Sequence, residues 1–315
     1  MSEFINTIDA LGDDAVIDSI IGKSITELKD NKITAVGNYA FYRFISLITL
    51  DLPIATTVGN NALGGCTALV TLNLPSVKSI DINMVKNCSA LVNVNLSSIN
   101  EIAANAFKGH KKLATADFSS ATVVGNNAFD GCTGLKSVNI HSAETIESYA
   151  FSMCTGLINV DATSAKTVNA SVFSNCSVIP EINLPAAQTI GATAFNGCTL
   201  LEKVDLSSAT SIGSGAFDYC NRLKTIILRN TEKVCTMEAQ ISNSCYHFYG
   251  TTNSTHNPTG AKDGYIYVPS ALVDSYKTAT NWSTFASQFR ALEDYTVDGT
   301  ITGELDPTKI YGGNG

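Results

Sequence analysis

The chain has 315 residues, 44% hydrophobic and 15% charged, with a net charge of −8. That is ample apolar material for a core and too little charge for a disordered chain, and the length fits one elongated domain or two compact ones. No basic stripe is present to neutralise phosphates, which argues against nucleic acid and anionic membrane as partners, and no stretch approaches the roughly 18 apolar residues of a membrane span.

The first segment, MSEFINTIDALGDD, lacks the basic region and the uninterrupted apolar run of a secretory signal. As written the chain reads as soluble, and export would need a leader already removed or another route. Phe4, Ile5, Ile8 and Leu11, then Ala15, Val16, Ile20 and Ile21, recur at helical spacing, with Gly12 between them and Asp13 placed to cap the second piece. Two short helices are expected over residues 1–24, forming an N-terminal cap; the alternative is an amphipathic helix that binds a partner.

From residue 25 to residue 234 one constant period of 22 governs the chain. Leu47, Leu69, Leu91, Leu113, Leu135, Leu157, Ile179, Leu201 and Leu223 share one column; Leu50, Leu72, Val94 and Ala116 open the next, and Leu52, Leu74, Leu96 and Phe118 the one after. Each unit ends L-x-x-V-x-L in period-two alternation, the mark of a strand with one buried face. Proline or serine then breaks the ladder (Pro53, Pro75, Ser97, Ser119), and a second apolar point follows at Val58, Ile80, Ile102 and Val124. A Gly/Asn turn such as Gly125-Asn126-Asn127 leads to an Ala-Phe pair, with Phe107, Phe129, Phe151, Phe173, Phe195 and Phe217 in register and Leu63 and Val85 as substitutes. A cysteine column closes the unit: Cys66, Cys88, Cys132, Cys154, Cys176, Cys198 and Cys220, with Phe44 and His110 in two of its slots. A unit this short cannot bury its own apolar face, so the units must stack, with parallel strands about 4.8 Å apart. Ten strand-like segments, the first a degenerate copy at Ile25, would make a rod on the order of 50 Å long.

The pattern L-x-x-V-x-L-P/S-S-A-x-x-I-G-x-x-A-F-x-G-C-T-x resembles the leucine-rich repeat of the BspA-like, or Treponema pallidum, type over roughly residues 25–234. The resemblance implies a right-handed leucine-rich repeat superhelix of about ten coils, with a parallel β-sheet on the concave face and short strands and turns on the other side. It also implies interaction rather than catalysis: members are known as bacterial surface proteins that bind host proteins, and similar repeats occur in protozoan and prophage-encoded proteins. In that class the cysteine is a small buried hydrophobe. The residues agree, because an odd column cannot pair completely, a linear stack offers zinc at most two nearby ligands, and no repeated His, Asp or Glu flanks the thiol as a base. Packing is the expectation, with no cofactor and no metal.

Cys235 and Cys245 fall off the grid, in an enlarged last turn over residues 235–264 that also holds His247 and His256. Their spacing matches no common zinc pattern, and buried or merely adjacent cysteines are expected. His110 is expected to loosen its coil and leave the edge solvated; His141, in the Pro/Ser position after a strand, is expected to be exposed. Tyr265-Ile266-Tyr267-Val268-Pro269 restores the strand-then-proline pattern, a helix begins at Ser270, and a break comes near Thr280-Asn281. Residues 265–294 are therefore read as a strand-and-helix cap, with Trp282, the only tryptophan, covering the last coil. Residues 295–315 carry a Val-Asp-Gly-Thr hairpin signal and end in glycines.

A binding face is expected on the concave sheet, where residues flanking the central strand position point out. One column there runs Asp51, Asn73, Asn95, Asp117, Asn139, Asp161, Asn183 and Asp205; its neighbour runs Thr49, Thr71, Asn93, Thr115, Ser137, Asn159, Glu181 and Lys203. Such columns can satisfy adjacent coils by hydrogen bonding, or serve as a flat, mildly acidic platform for a protein or glycan. Aromatic anchors are absent from it, so Tyr39, Tyr42 and Arg43 near one end, or Tyr246, Phe248 and Tyr249 in the long turn, are further anchor candidates. The expected function is non-enzymatic binding, in adhesion or host interaction. The alternative is a structural spacer or receptor-binding component of a prophage-encoded or surface assembly.

Overall fold

Each L-x-x-V-x-L segment becomes one rung of a parallel sheet in the computed structural model, which describes residues 25–295. Seven rungs run from Glu27–Lys29 to Asn159–Asp161 with no slip in register, Leu28 opposite Leu50, Leu50 opposite Leu72, and so on to Val138 opposite Val160. Five more continue through Glu181–Asn183, Lys203–Asp205, Thr225–Ile227, Tyr265–Val268 and Phe289–Ala291. The last two extend the stack beyond the ten segments legible in the repeat. The helical cap expected over residues 1–24 and nearly all of the tail lie outside the described residues.

The break between the two sheets falls at Pro180. In the coils before it, the residue preceding each strand donates its N–H one coil back: Val70 to Ile48, Val92 to Val70, Ala114 to Val92, Ile158 to Lys136. Pro180 occupies that slot and has no N–H to give. The ladder stops there and resumes when Glu202 donates to the Pro180 carbonyl.

On the opposite side of each coil, two-residue strands from Glu101–Ile102 to Thr236–Met237 form a second parallel sheet of seven. Between the sheets the Phe column stacks as a spine. Phe107, Phe129, Phe151, Phe173, Phe195 and Phe217 succeed one another at 5.3, 5.1, 5.6, 6.0 and 5.6 Å between ring centroids, all within 18° of coplanar. The turn that carries them costs backbone strain. The residue before the cysteine slot is left-handed in each of the nine coils from Arg43 to Tyr219, whether glycine (Gly65, Gly109, Gly131, Gly197), asparagine (Asn87, Asn175) or a bulkier residue (Arg43, Met153, Tyr219).

The cysteine column is core. All nine cysteines are buried and free. Each thiol of the ladder donates to the carbonyl of the Ala-Phe turn one coil earlier, as Cys132 does to Phe107 at 3.0 Å and Cys154 to Phe129 at 3.1 Å. Cys245 proves to be on the ladder after all: its Sγ donates to Phe217 at 3.0 Å, as the rung after Cys220. The inserted residues bulge out between the two rungs, which hides the relation in linear spacing. His110 also departs from expectation, because its coil is not loosened. It is buried, and its Nε2 lies 3.0 Å from the Val85 carbonyl, the acceptor a cysteine would use.

The far end is closed by aromatic residues. Trp282 and Tyr276 are fully buried on the last coil. Trp282 Nε1 donates to the Cys235 carbonyl at 2.7 Å, and the Tyr276 hydroxyl accepts the Cys235 N–H at 2.8 Å. The enlarged turn is held by Asn257, whose amide donates to Tyr246, Thr251 and Ala261 carbonyls.

Candidate functional site

The expected concave face is a shallow groove of about 920 Å³. Its walls are Thr49, Asp51, Thr71, Asn73, Asn93, Asn95, Thr115, Asp117, Ser137, Asn139, Asn159 and Asp161, and Lys29 lies at its end. Glu181, Asn183, Lys203 and Asp205 stand past the Pro180 break, on the five-stranded continuation of the same face. They form a separate patch, in which Lys203 pairs with Glu181 at 3.6 Å and Asp205 is bound at 3.0 Å by Arg229, both of these partly buried.

Strand alternation sets this arrangement. The central residue of each rung points into the core and its two neighbours point out, so identical neighbours in successive coils form columns on the surface. The outer column splits into two regimes. Over the first coils it is a true ladder, with the Asn73 amide donating to Asp51 at 2.6 Å and the Asn95 amide donating to Asn73 at 2.8 Å. Farther on, the side-chain oxygen turns back on its own coil and accepts the N–H two residues later: Asp117 from Ser119 at 3.0 Å, Asn139 from His141 at 3.3 Å. These Asx turns end the strand and occupy one acceptor per residue. The Thr/Asn/Ser column is freer, with Asn93 and Asn159 exposed and one cross-coil bond from Thr115 to Asn93 at 3.0 Å. The groove therefore offers amides, hydroxyls and the carboxylates Asp51, Asp117 and Asp161 against one lysine. Its chemistry is hydrogen bonding and weak anionic attraction.

The long turn does not supply the anchors expected of it. Phe248 is fully buried against Phe285, and the Tyr249 hydroxyl donates to the Ile241 carbonyl at 2.6 Å. Tyr246 is half-buried, its ring stacked on His256. At the other end Tyr39 remains 48% exposed. Cys235, Cys245, His247 and His256 do not converge. His247 Nδ1 lies 2.5 Å from Asp263 and its Nε2 2.9 Å from the His256 carbonyl, so both ring nitrogens are taken. Burial pushes the Asp263 pKa up, but the hydrogen bond and charge of His247, with Lys224 beside it, outweigh this and leave it below the ordinary carboxylate value. Among the described residues no group of three His, Cys, Asp or Glu could hold a metal ion. The thiols are poor nucleophiles as well: burial pushes Cys132, Cys198 and Cys235 up to about 12.

The sequence model of the BspA type leucine-rich repeat region matches residues 22–136 and 122–253, in six copies. A leucine-rich repeat protein of T. pallidum is similar, at 28% identity, a TM-score of 0.42, and coverage of 46% of this chain and 72% of that one. A leucine-rich cell surface protein of Faecalibacterium prausnitzii shares 21% identity over 67% of this chain and 74% of that one, at a TM-score of 0.35. An internalin of Listeria monocytogenes shares 13% over 92% and 93%, at 0.38. No curated protein matches the chain. None of these likenesses bears on what the chain binds.

Proposed function

Since the chain belongs to the BspA-type leucine-rich repeat family, we propose that it is a non-enzymatic binding protein whose concave groove takes a protein partner. Repeats over residues 25–234 make the binding body, and residues 235–294 close its end. The observation that carries this reading is the groove itself: a continuous, polar, mildly acidic surface seven rungs long, with no group poised for chemistry. Such a surface suits a convex partner presenting amides, hydroxyls and a few cations, with specificity set by complementarity more than by anchors. Adhesion or host interaction is the role we assign it, with display at a cell surface. No helix of the described residues is long and apolar enough to cross a membrane.

A spacer role is the second reading, favoured by the intrachain bonds that occupy the Asp/Asn column. The two are separated by probing an array of secreted and surface ectodomains with the wild type and with an Asp117→Asn, Asp161→Asn double variant. Asparagine keeps the oxygen that caps Ser119, so the fold is untouched while two charges leave the groove. A partner bound by the wild type and weakened severalfold in the variant supports binding through this face. A partner bound equally by both places the site elsewhere, and no partner at all favours the spacer.

A further inference from the structure

Two exposed apolar side chains stand where the backbone would prefer glycine. Met153 and Tyr219 occupy the left-handed slot before the cysteine, at φ of 58° and 59°, and are 46% and 60% exposed. Apart from Arg43, the other coils fill this slot with glycine or asparagine, which tolerate the conformation. Neither side chain adds to the core, so the strain serves nothing in folding.

The two residues wall a single groove. It lies on the flank of the rod, between the Ala-Phe turn and the next strand, and encloses about 490 Å³, within the roughly 300–1,000 Å³ of small-ligand sites. Met153 and Tyr219 are three coils apart, about 14 Å at the rise of a parallel sheet. Between them the floor is neutral. Thr155, Ser177 and Asn196 line it with side chains that make no hydrogen bond within the described residues. Gly197 sits at the centre, where a Cβ would lie 2.5 Å from the Asn175 side-chain oxygen. A side chain there would close the groove.

We propose that this flank groove binds a neutral pyranose disaccharide, at a site distinct from the concave face. The lining carries no charge to recognise an ion. It does offer what a sugar needs: an aromatic ring and a thioether for the apolar C–H faces, and free hydroxyl and amide groups for the ring hydroxyls. The span between the walls fits two linked rings.

The test is isothermal titration calorimetry of the full chain with cellobiose, maltose and N,N′-diacetylchitobiose. At least one should bind saturably. Tyr219→Asn and Met153→Gly insert residues that other coils already carry in this slot, so both variants should melt at or above the wild-type temperature. Each should weaken binding about tenfold or more, the loss of one stacking contact of about 1.4 kcal/mol. Tyr219→Phe should retain it. Tyr149→Asn, which removes another exposed left-handed tyrosine away from the groove, should have no effect. Failure of all three sugars to bind the wild type overturns the proposal. So does binding that survives Tyr219→Asn, or a groove that takes a proline-rich peptide and no sugar.

Discussion

Replacing Phe129 with alanine tests the spine on which the stack depends. The ring is fully buried, lies flat between Phe107 at 5.3 Å and Phe151 at 5.1 Å, and meets Phe118 edge-on at 5.5 Å. Removing it forfeits about 2–3 kcal/mol of apolar transfer. It also opens a cavity on the order of 100 Å³, which adds about 2 kcal/mol if the walls do not collapse. Collapse is resisted here, because the turn on either side is pinned by cross-coil bonds, Phe107 N–H to Ala128 and Phe129 N–H to Ala150. The expected loss is therefore about 4–5 kcal/mol, at the upper end for a buried phenylalanine. Phe217 supplies the control, since it stacks on Phe195 alone at 5.6 Å and is tilted by 18°. Phe217→Ala should cost less by about 1–3 kcal/mol, the worth of the two further aromatic pairs that Phe129 makes. Urea unfolding monitored by circular dichroism reads both, with the slope watched for loss of cooperativity along the rod. A Phe129→Ala cost under about 1 kcal/mol, far below the usual range for a buried ring, would refute the stacked-core reasoning. A Phe217→Ala cost as large as that of Phe129→Ala would refute the role assigned to stacking.

Alkali should destabilise the protein steeply. Burial raises Cys132, Cys198 and Cys235 from 9.0 to about 12. In that window the unfolded chain loses thiol protons that the folded chain keeps, so stability is full below about pH 9 and falls as pH rises toward about 12, by about 1.4 kcal/mol per pH unit for each such thiol. A melting temperature unchanged between pH 8 and pH 10.5 would contradict this, as would a thiol titration finding fewer than nine groups on denaturation. Hydrogen exchange should single out Glu181, whose N–H comes after Pro180 and lacks the cross-coil acceptor used by Asn159 and Thr225. Equal protection at the three amides would mean the sheet is not divided there. Trp282→Phe should cost about 1–3 kcal/mol by leaving the buried Cys235 carbonyl without its donor. Thermal melting would register it, and an unchanged midpoint would show that the clamp is idle.

Much of the molecule was legible because a stacked coil repeats its own instructions. An invariant spacing of 22 forces like residues over like, so Leu50 could be placed above Leu72, and Phe129 above Phe107, without coordinates. The same logic located the outward columns of the concave face, since strand alternation leaves no other direction for Thr71 and Asn73. It failed wherever linear spacing and spatial stacking part company. Cys245 lies 25 residues past Cys220 and looked unrelated to it, yet the inserted residues loop out and return it to the ladder. Phe289–Ala291 carries no repeat signature and falls in the turn after the Thr280-Asn281 break, yet it pairs with Tyr265–Val268 because that edge is open.

The amino-acid sequence alone determined the coil length, the register of the ten repeated rungs and the buried columns, because periodicity and alternation are properties of neighbours along the chain. Tertiary structure decided what each polar side chain does with its place. Asn73 spans two coils while Asp117 caps its own strand, His110 substitutes for a thiol, and Phe248 and Tyr249 turn inward against Phe285 of the cap. Those choices depend on which acceptor stands within about 3 Å, and that distance exists only once the coils are stacked.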